Sequence, residues 1–170
     1  GRVLDTRSGG QTVDGLHQAV GAIQPNGTYE LPVAGRAGVP LGAASVVLNV
    51  TVVGPASGGY VTVFPCGQLA PNASNLNFAA GDVIPNSVIA RVGANGKVCF
   101  FSSATTNLLV DVSGYFMTTD SLAPLDAPGR VLDTRSGGQT VDGLHQAVGA
   151  IQANGTYELP VAGRAGVPLG

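Results

Sequence analysis

Asp5-Thr6-Arg7 sets an acid and a guanidinium two residues apart, which places both on one face if the segment is a strand. Such a pair could contact an anion or a sugar. The preferred reading is structural, with Arg7 clamping a carboxylate or the sheet end through its two-pronged donor set. Asp111 lies inside the apolar run Leu108–Val112, and a buried acid without a partner is costly, so Arg2 or Arg7 is its expected counter-charge. Ser8, Asp5 and His17 contain the residue types of a nucleophile, acid and base, and Asp14 precedes His17 by three. Their spacing fixes no geometry, and residue types alone do not make a triad, so the chain is read as no enzyme, with no cofactor and no metal. The acids do not follow the spacing of a calcium loop, and Asp82 beside Gly81 reads as a turn residue. Tyr60, Asn75, Asn77, Asn86 and Tyr115, with Asn72, offer the amides and aromatic faces that suit a glycan. Against this, the chain has no Trp, and Asn more often caps turns and edges.

Cys66 and Cys99 are the only cysteines, Cys99 within an expected strand and Cys66 just past the end of another. A zinc site would require two further ligands close by, so a disulfide is preferred, with two buried thiols as the alternative. Closing a loop of about 33 residues would stabilise the fold by roughly 3–4 kcal/mol through the unfolded state. A disulfide would also point to an oxidising compartment and hence secretion.

Composition narrows the function classes. The chain has 170 residues, 44% hydrophobic and 11% charged, with 26 Gly, 11 Pro and a formal net charge of −2. A disordered tail would pair low hydrophobicity with high charge, and a nucleic-acid binder would present a basic face; neither pattern is present. The longest apolar stretch, Ser45–Val53, is broken by Asn49 and Thr51 and is far too short to span a bilayer as a helix. The chain starts at Gly1 without an initiating Met, so a piece of a longer precursor is expected.

The elements that must position these residues read as strands. Short β-branched runs recur between turn signals: Arg2–Thr6, Thr28–Val33, Ser45–Val53, Tyr60–Phe64, Asn75–Phe78, Val88–Val92, Lys97–Phe101, Leu108–Val112 and Tyr115–Met117. Ala94-Asn95-Gly96 predicts a hairpin turn, and Gly15 and Gly21 argue against a helix over Val13–Ile23. The pattern predicts an all-β fold, an antiparallel two-sheet β-sandwich, with a β-trefoil or barrel as the alternative. A trefoil would need threefold internal similarity, and the sequence has none within 1–128.

A different repeat is plain. Gly129–Gly170 restates Gly1–Gly42 with one change, Pro25 to Ala153, so the period is 128 residues. Residues 1–117 are read as a sandwich repeat, 118–128 as a linker, and 129–170 as the N-terminal third of the next repeat. Such a third cannot bury enough apolar surface to offset chain entropy. Either 1–128 form the domain, or 43–170 do, or the surplus segment completes a neighbouring copy by strand addition.

The sequence resembles a repeat domain of secreted proteins from actinobacteria and some other bacteria. The likeness runs through Arg-x-x-Asp-Thr-Arg at Arg2–Arg7 and Arg130–Arg135, Gly38-Val39-Pro40, Leu48–Thr51, Gly59–Gly67, Ser74–Phe78, Asn86-Ser87-Val88, and Asp-Val-Ser-Gly-Tyr-Phe at Asp111–Phe116. It implies secretion, tandem copies and attachment to other surface modules, with no chemistry assignable to individual residues. In such a setting the glycosylation patterns at Asn26, Asn49 and Asn72 are expected to go unused.

What remains is surface character. With few charges and Lys97 as its one lysine, the chain lacks the usual devices that keep β edges apart. The leading expectation is a structural and interaction protein, secreted to the extracellular cell surface, which packs with copies of itself into a filament, stalk or surface layer. The alternative is a carbohydrate- or cell-wall-binding module tethering another domain. Neither nucleic acid nor membrane insertion is expected.

Overall fold

The structure is a computed structural model that describes residues 1–117, 125 and 127–169. Most of the expected linker, 118–128, lies outside these residues. The chain divides into two units: Gly1–Ala70 with Ser74–Ala127, and Pro71–Ala73 with Pro128–Gly170.

The first unit is all-β and carries eight strands: β1 (Arg2–Asp5), β2 (Gly27–Pro32), β3 (Ser45–Val53), β4 (Gly59–Pro65), β5 (Leu76–Phe78), β6 (Val83–Arg91), β7 (Lys97–Ser102) and β8 (Asn107–Phe116). They form two four-stranded antiparallel sheets, ordered β1-β8-β3-β6 and β2-β7-β4-β5. This is the expected two-sheet sandwich; neither sheet closes into a barrel.

Period-two alternation builds the core. Val46, Leu48, Val50 and Val52 of β3 are fully buried, as are Val61 of β4, Phe100 of β7 and Leu108 and Val110 of β8. A second small cluster, Phe64, Cys66 and Cys99, lies apart from this core with Phe101 packed against it. Cys66 and Cys99 are joined in a disulfide with Cα atoms 5.0 Å apart.

Three boundaries differ from the sequence reading. The two runs expected at 108–112 and 115–117 are one strand, β8. The register passes from Val47 opposite Gly114 to Leu48 opposite Val112, leaving Ser113 as the extra residue of a bulge. Strand β6 starts at Val83, five residues before the apolar run that revealed it, because β3 offers pairing partners along its whole length. The 94–96 turn is not the expected hairpin, because β6 and β7 lie in different sheets; it is a short 3₁₀ turn that crosses between them, with Asn95 left-handed at φ 56°.

Residues 1–42 supply one edge strand to each sheet. Strand β1 lies on β8, with Leu4 opposite Val110, and β2 lies on β7, with Tyr29 opposite Phe100. Between Arg2 and Leu4 the register shifts, which lets the adjacent residues Val3 and Leu4 both be fully buried. The segment therefore closes both sheets on one side.

The second unit repeats this sequence without the strands. Residues 129–169 contain no strand, only an isolated bridge between Asp133 and Gln146 that matches the one between Asp5 and Gln18.

Candidate functional site

The closing segment is held by a cluster of ion pairs around Asp5 and by a separate pair, Asp14–Arg36. Arg7 grips Asp5 through both prongs, Nε to Oδ1 at 2.9 Å and Nη2 to Oδ2 at 2.7 Å, and its main-chain N–H donates to Oδ1 at 3.2 Å. Arg2 donates to Asp5 at 3.4 Å and, with two nitrogens, to Asp111 on β8 at 3.1 and 3.2 Å. Asp5 is 1% exposed, and the Arg7 hydrogen bonds hold its carboxyl below the usual carboxylate range. A side chain at Gly10 would collide with that carboxylate, since its Cβ would sit 2.5 Å from Asp5 Cγ. The four candidate ion-pair residues, Arg2, Asp5, Arg7 and Asp111, are thus brought together. They tie β1 to its own loop and to β8 and use their charge on one another.

A second pair escaped the sequence reading. Arg36, 8% exposed, donates to Asp14 at 2.7 and 2.8 Å, to Pro32 O at 2.9 Å and to Leu16 O at 3.2 Å. It fastens the 12–16 loop to the end of β2 and holds the Asp14 carboxyl far below its ordinary range. The partners lie 22 residues apart in a Gly-rich region, a spacing with no local signature. The one available signal was a solitary arginine in an otherwise uncharged Gly-Arg-Ala-Gly turn.

His17 takes a left-handed backbone, φ 55°, and its Nδ1 meets Tyr29 Oη at 2.7 Å. Burial lowers its pKa, and the nearby Arg36 charge adds to this, so the imidazole is held neutral. Burial also raises the Tyr29 pKa. Asp5 and His17 meet through the main chain, Asp5 N to His17 O at 3.2 Å, not through side chains. No nucleophile–base–acid geometry is assembled from Ser8, Asp5 and His17. Among the described residues no group of three or more His, Cys, Asp or Glu could hold a metal ion.

The glycan candidates separate. Tyr60 on β4 is opposite Asn77 on β5, is 40% exposed, and packs its ring 5.8 Å from Phe101. Asn75 accepts from Val63 N at 2.7 Å, extending the ladder beyond β5, and Asn86 donates its amide to Asn75 O. Tyr115 stands on β8, in the other sheet, opposite Val46. The structure brings Tyr60, Asn75, Asn77 and Asn86 around the β4–β5 edge, with two of the three amides engaged in the backbone, and leaves Tyr115 apart. A cleft of about 280 Å³ beside the disulfide, lined by Pro65, Cys66, Gln68 and Arg91 among others, gathers no set of catalytic groups.

Among the described residues, the duplicate reproduces the local part of the polar network, without the contacts that Arg2 and Thr6 make to β8. Arg135 grips Asp133 at 2.9 and 2.7 Å, Arg164 grips Asp142 at 2.6 and 2.9 Å, and His145 meets Tyr157 at 2.7 Å. His145, Ala147, Asn154 and Ala165 keep the left-handed conformations of His17, Ala19, Asn26 and Ala37. The apolar residues behave otherwise. Ile23, Val33 and Val39 are 6%, 0% and 2% exposed, whereas their equivalents Ile151, Val161 and Val167 are 50%, 49% and 38% exposed. The loop and its ion pairs are locally encoded; burial of the strands depends on β7 and β8.

The candidate functional feature is therefore the repeated segment itself, 1–42 and 129–169, with its locally formed turns and ion pairs. Among the described residues no helix is long and apolar enough to cross a membrane. Compared with protein-family models, curated proteins and solved structures, the chain has no match in any of the three.

Proposed function

We propose that this chain is a structural and interaction protein, a secreted β-sandwich repeat that associates with copies of itself in an extracellular filament, stalk or surface layer. One observation carries the reading: residues 129–170 restate 1–42 with a single change, so the chain holds more than one copy of its repeat. The low charge of the chain supports the same reading, since little repulsion opposes contact between copies. A buried disulfide is compatible with life outside the cell. The resemblance to secreted tandem repeats agrees with it. Sedimentation velocity over a wide concentration range, with electron microscopy of the densest sample, tests the reading. Mass that rises with concentration and elongated particles are expected; a monomer throughout would refute it.

A further inference from the structure

The alternation that buries one side of β3 and β6 turns the other side to solvent. On that outer side Val47 lies opposite Ile89 near one end and Val53 opposite Val83 at the other. Asn49, Thr51, Pro85 and Ser87 stand between these two rows. Val83 is 70% exposed and Ile89 53%, and none of these residues is charged. Strand β6 is also the edge of its sheet, and of the usual devices that keep an edge solitary it carries only a proline. The outer side of the other sheet differs, since it bears the Glu30–Lys97 ion pair and the cluster around the disulfide.

We propose that the outer side of β3 and β6 is the face on which one copy of this chain packs against the same face of a second copy. This rests on the assembly reading and names the surface it uses.

The occupant follows from the pattern, which reads alike from both ends: β-branched apolar residues outside, uncharged residues between. A two-fold axis in the plane of contact and across the strands sets the Val47–Ile89 row of one copy on the Val53–Val83 row of the other. The same rotation brings Asp82, which precedes β6, toward Arg91 at the far end of β6 in the second copy. Opposite charges then bracket the contact at both ends. Each strand offers about 20 Å of length, so the area is small beside the roughly 800 Å² per partner of a standard interface, and one pair of faces holds weakly. Tandem repeats offset this weakness, because once one pair has met, the next meets at a high effective concentration. A two-fold contact closes on itself, so it joins chains side by side while the repeat supplies the length.

The test charges the two apolar rows in the full chain. Ile89→Lys and Val83→Glu replace exposed side chains, so the fold should be kept, which circular dichroism checks. In sedimentation velocity each variant alone should need about tenfold more protein than the wild type to gain mass, because a lone charge is set into an apolar row. Thr28→Lys, exposed on the other sheet, should follow the wild type. An equimolar mixture of the Ile89→Lys and Val83→Glu chains should recover association, since the introduced charges meet at one end of the contact and the native apolar rows at the other. No recovery in the mixture, or equal weakening by Thr28→Lys, overturns the proposal. Association unchanged in both patch variants also overturns it but leaves assembly standing, whereas a wild type that stays monomeric at every concentration removes the assembly reading itself.

Discussion

Ile23 is 6% exposed and Ile151, its counterpart in a context that differs only by Ala153 in place of Pro25, is 50% exposed. Ile23 exchanges two main-chain hydrogen bonds with Thr106, at 2.9 and 3.1 Å, on the approach to β8. Ile151 has no bridge of this kind among the described residues. Nearly identical local sequence thus gives different burial, and the difference lies in the pairing that the chain between β7 and β8 supplies to Ile23.

This asymmetry should appear in stability. Ile23→Ala is expected to destabilise the first unit by about 2–4 kcal/mol through lost burial and the cavity left behind. Ile151→Ala, measured in dilute chain, should stay within about 0.5 kcal/mol, as for other exposed positions. Denaturant unfolding of both variants decides it; equal losses would show that the duplicate is buried after all.

Arg36 should matter more than its place in a Gly-rich turn suggests. Arg36→Ala removes the bidentate contact to Asp14 and two bonds to main-chain oxygens. With the guanidinium buried and Asp14 a quarter exposed, a loss of about 2–3 kcal/mol is expected. Lysine, which cannot reproduce the two-pronged contact, should recover little of it. Full recovery by Arg36→Lys, read by thermal melting, would contradict this.

Acid should destabilise the fold in two stages. His17 has its pKa lowered from 6.5, so the unfolded chain takes up a proton first, and stability begins to fall once the pH drops below about 6.5. Asp5 and Asp14 have pKa values lowered from 3.8. Their contribution is full above that value and is lost as the pH falls further. Thermal melts from pH 8 to pH 2 should show a shallow decline and then a steeper one; a melting temperature that rises on acidification would refute the signs.

The disulfide should be worth about 3–4 kcal/mol on the loop-entropy account, given a separation of 33 residues. Cys66→Ser with Cys99→Ser, compared with the oxidised parent in denaturant, measures it. Because the pair sits outside the main core, the doubly substituted chain should keep the same strands, and loss of the sheet signal in circular dichroism would contradict that placement.

Much of this architecture could be read from residue patterns. Strand β3 was legible to the residue, because alternation over Ser45–Val53 is long and uninterrupted. The Arg2, Asp5, Arg7 and Asp111 cluster was legible in its members but not in its burial. Asp111, expected to be buried in its apolar run, is 33% exposed, because its side chain faces away from the core side of β8, and Asp5, at 1%, is the buried acid. Strand β6 was shortened because Pro85 and Asn86 read as a break, although β3 pairs across both. The Asp14–Arg36 and His17–Tyr29 contacts had no local signature, since loop geometry alone brings them together. The repeat announced a surplus closing segment, but only the burial of each residue showed that its turns and ion pairs form without its strands.

Amide hydrogen exchange, followed while the full chain is concentrated, tests the central claim most directly. Peptides spanning Pro25 or Ala153 differ in mass and separate the two copies. In dilute chain, amides of residues 27–32 should be protected and those of 155–160 should exchange freely. On concentration, contacts between copies should add protection beyond that of the dilute chain. Equal protection of both sets in a dilute monomer would contradict the account.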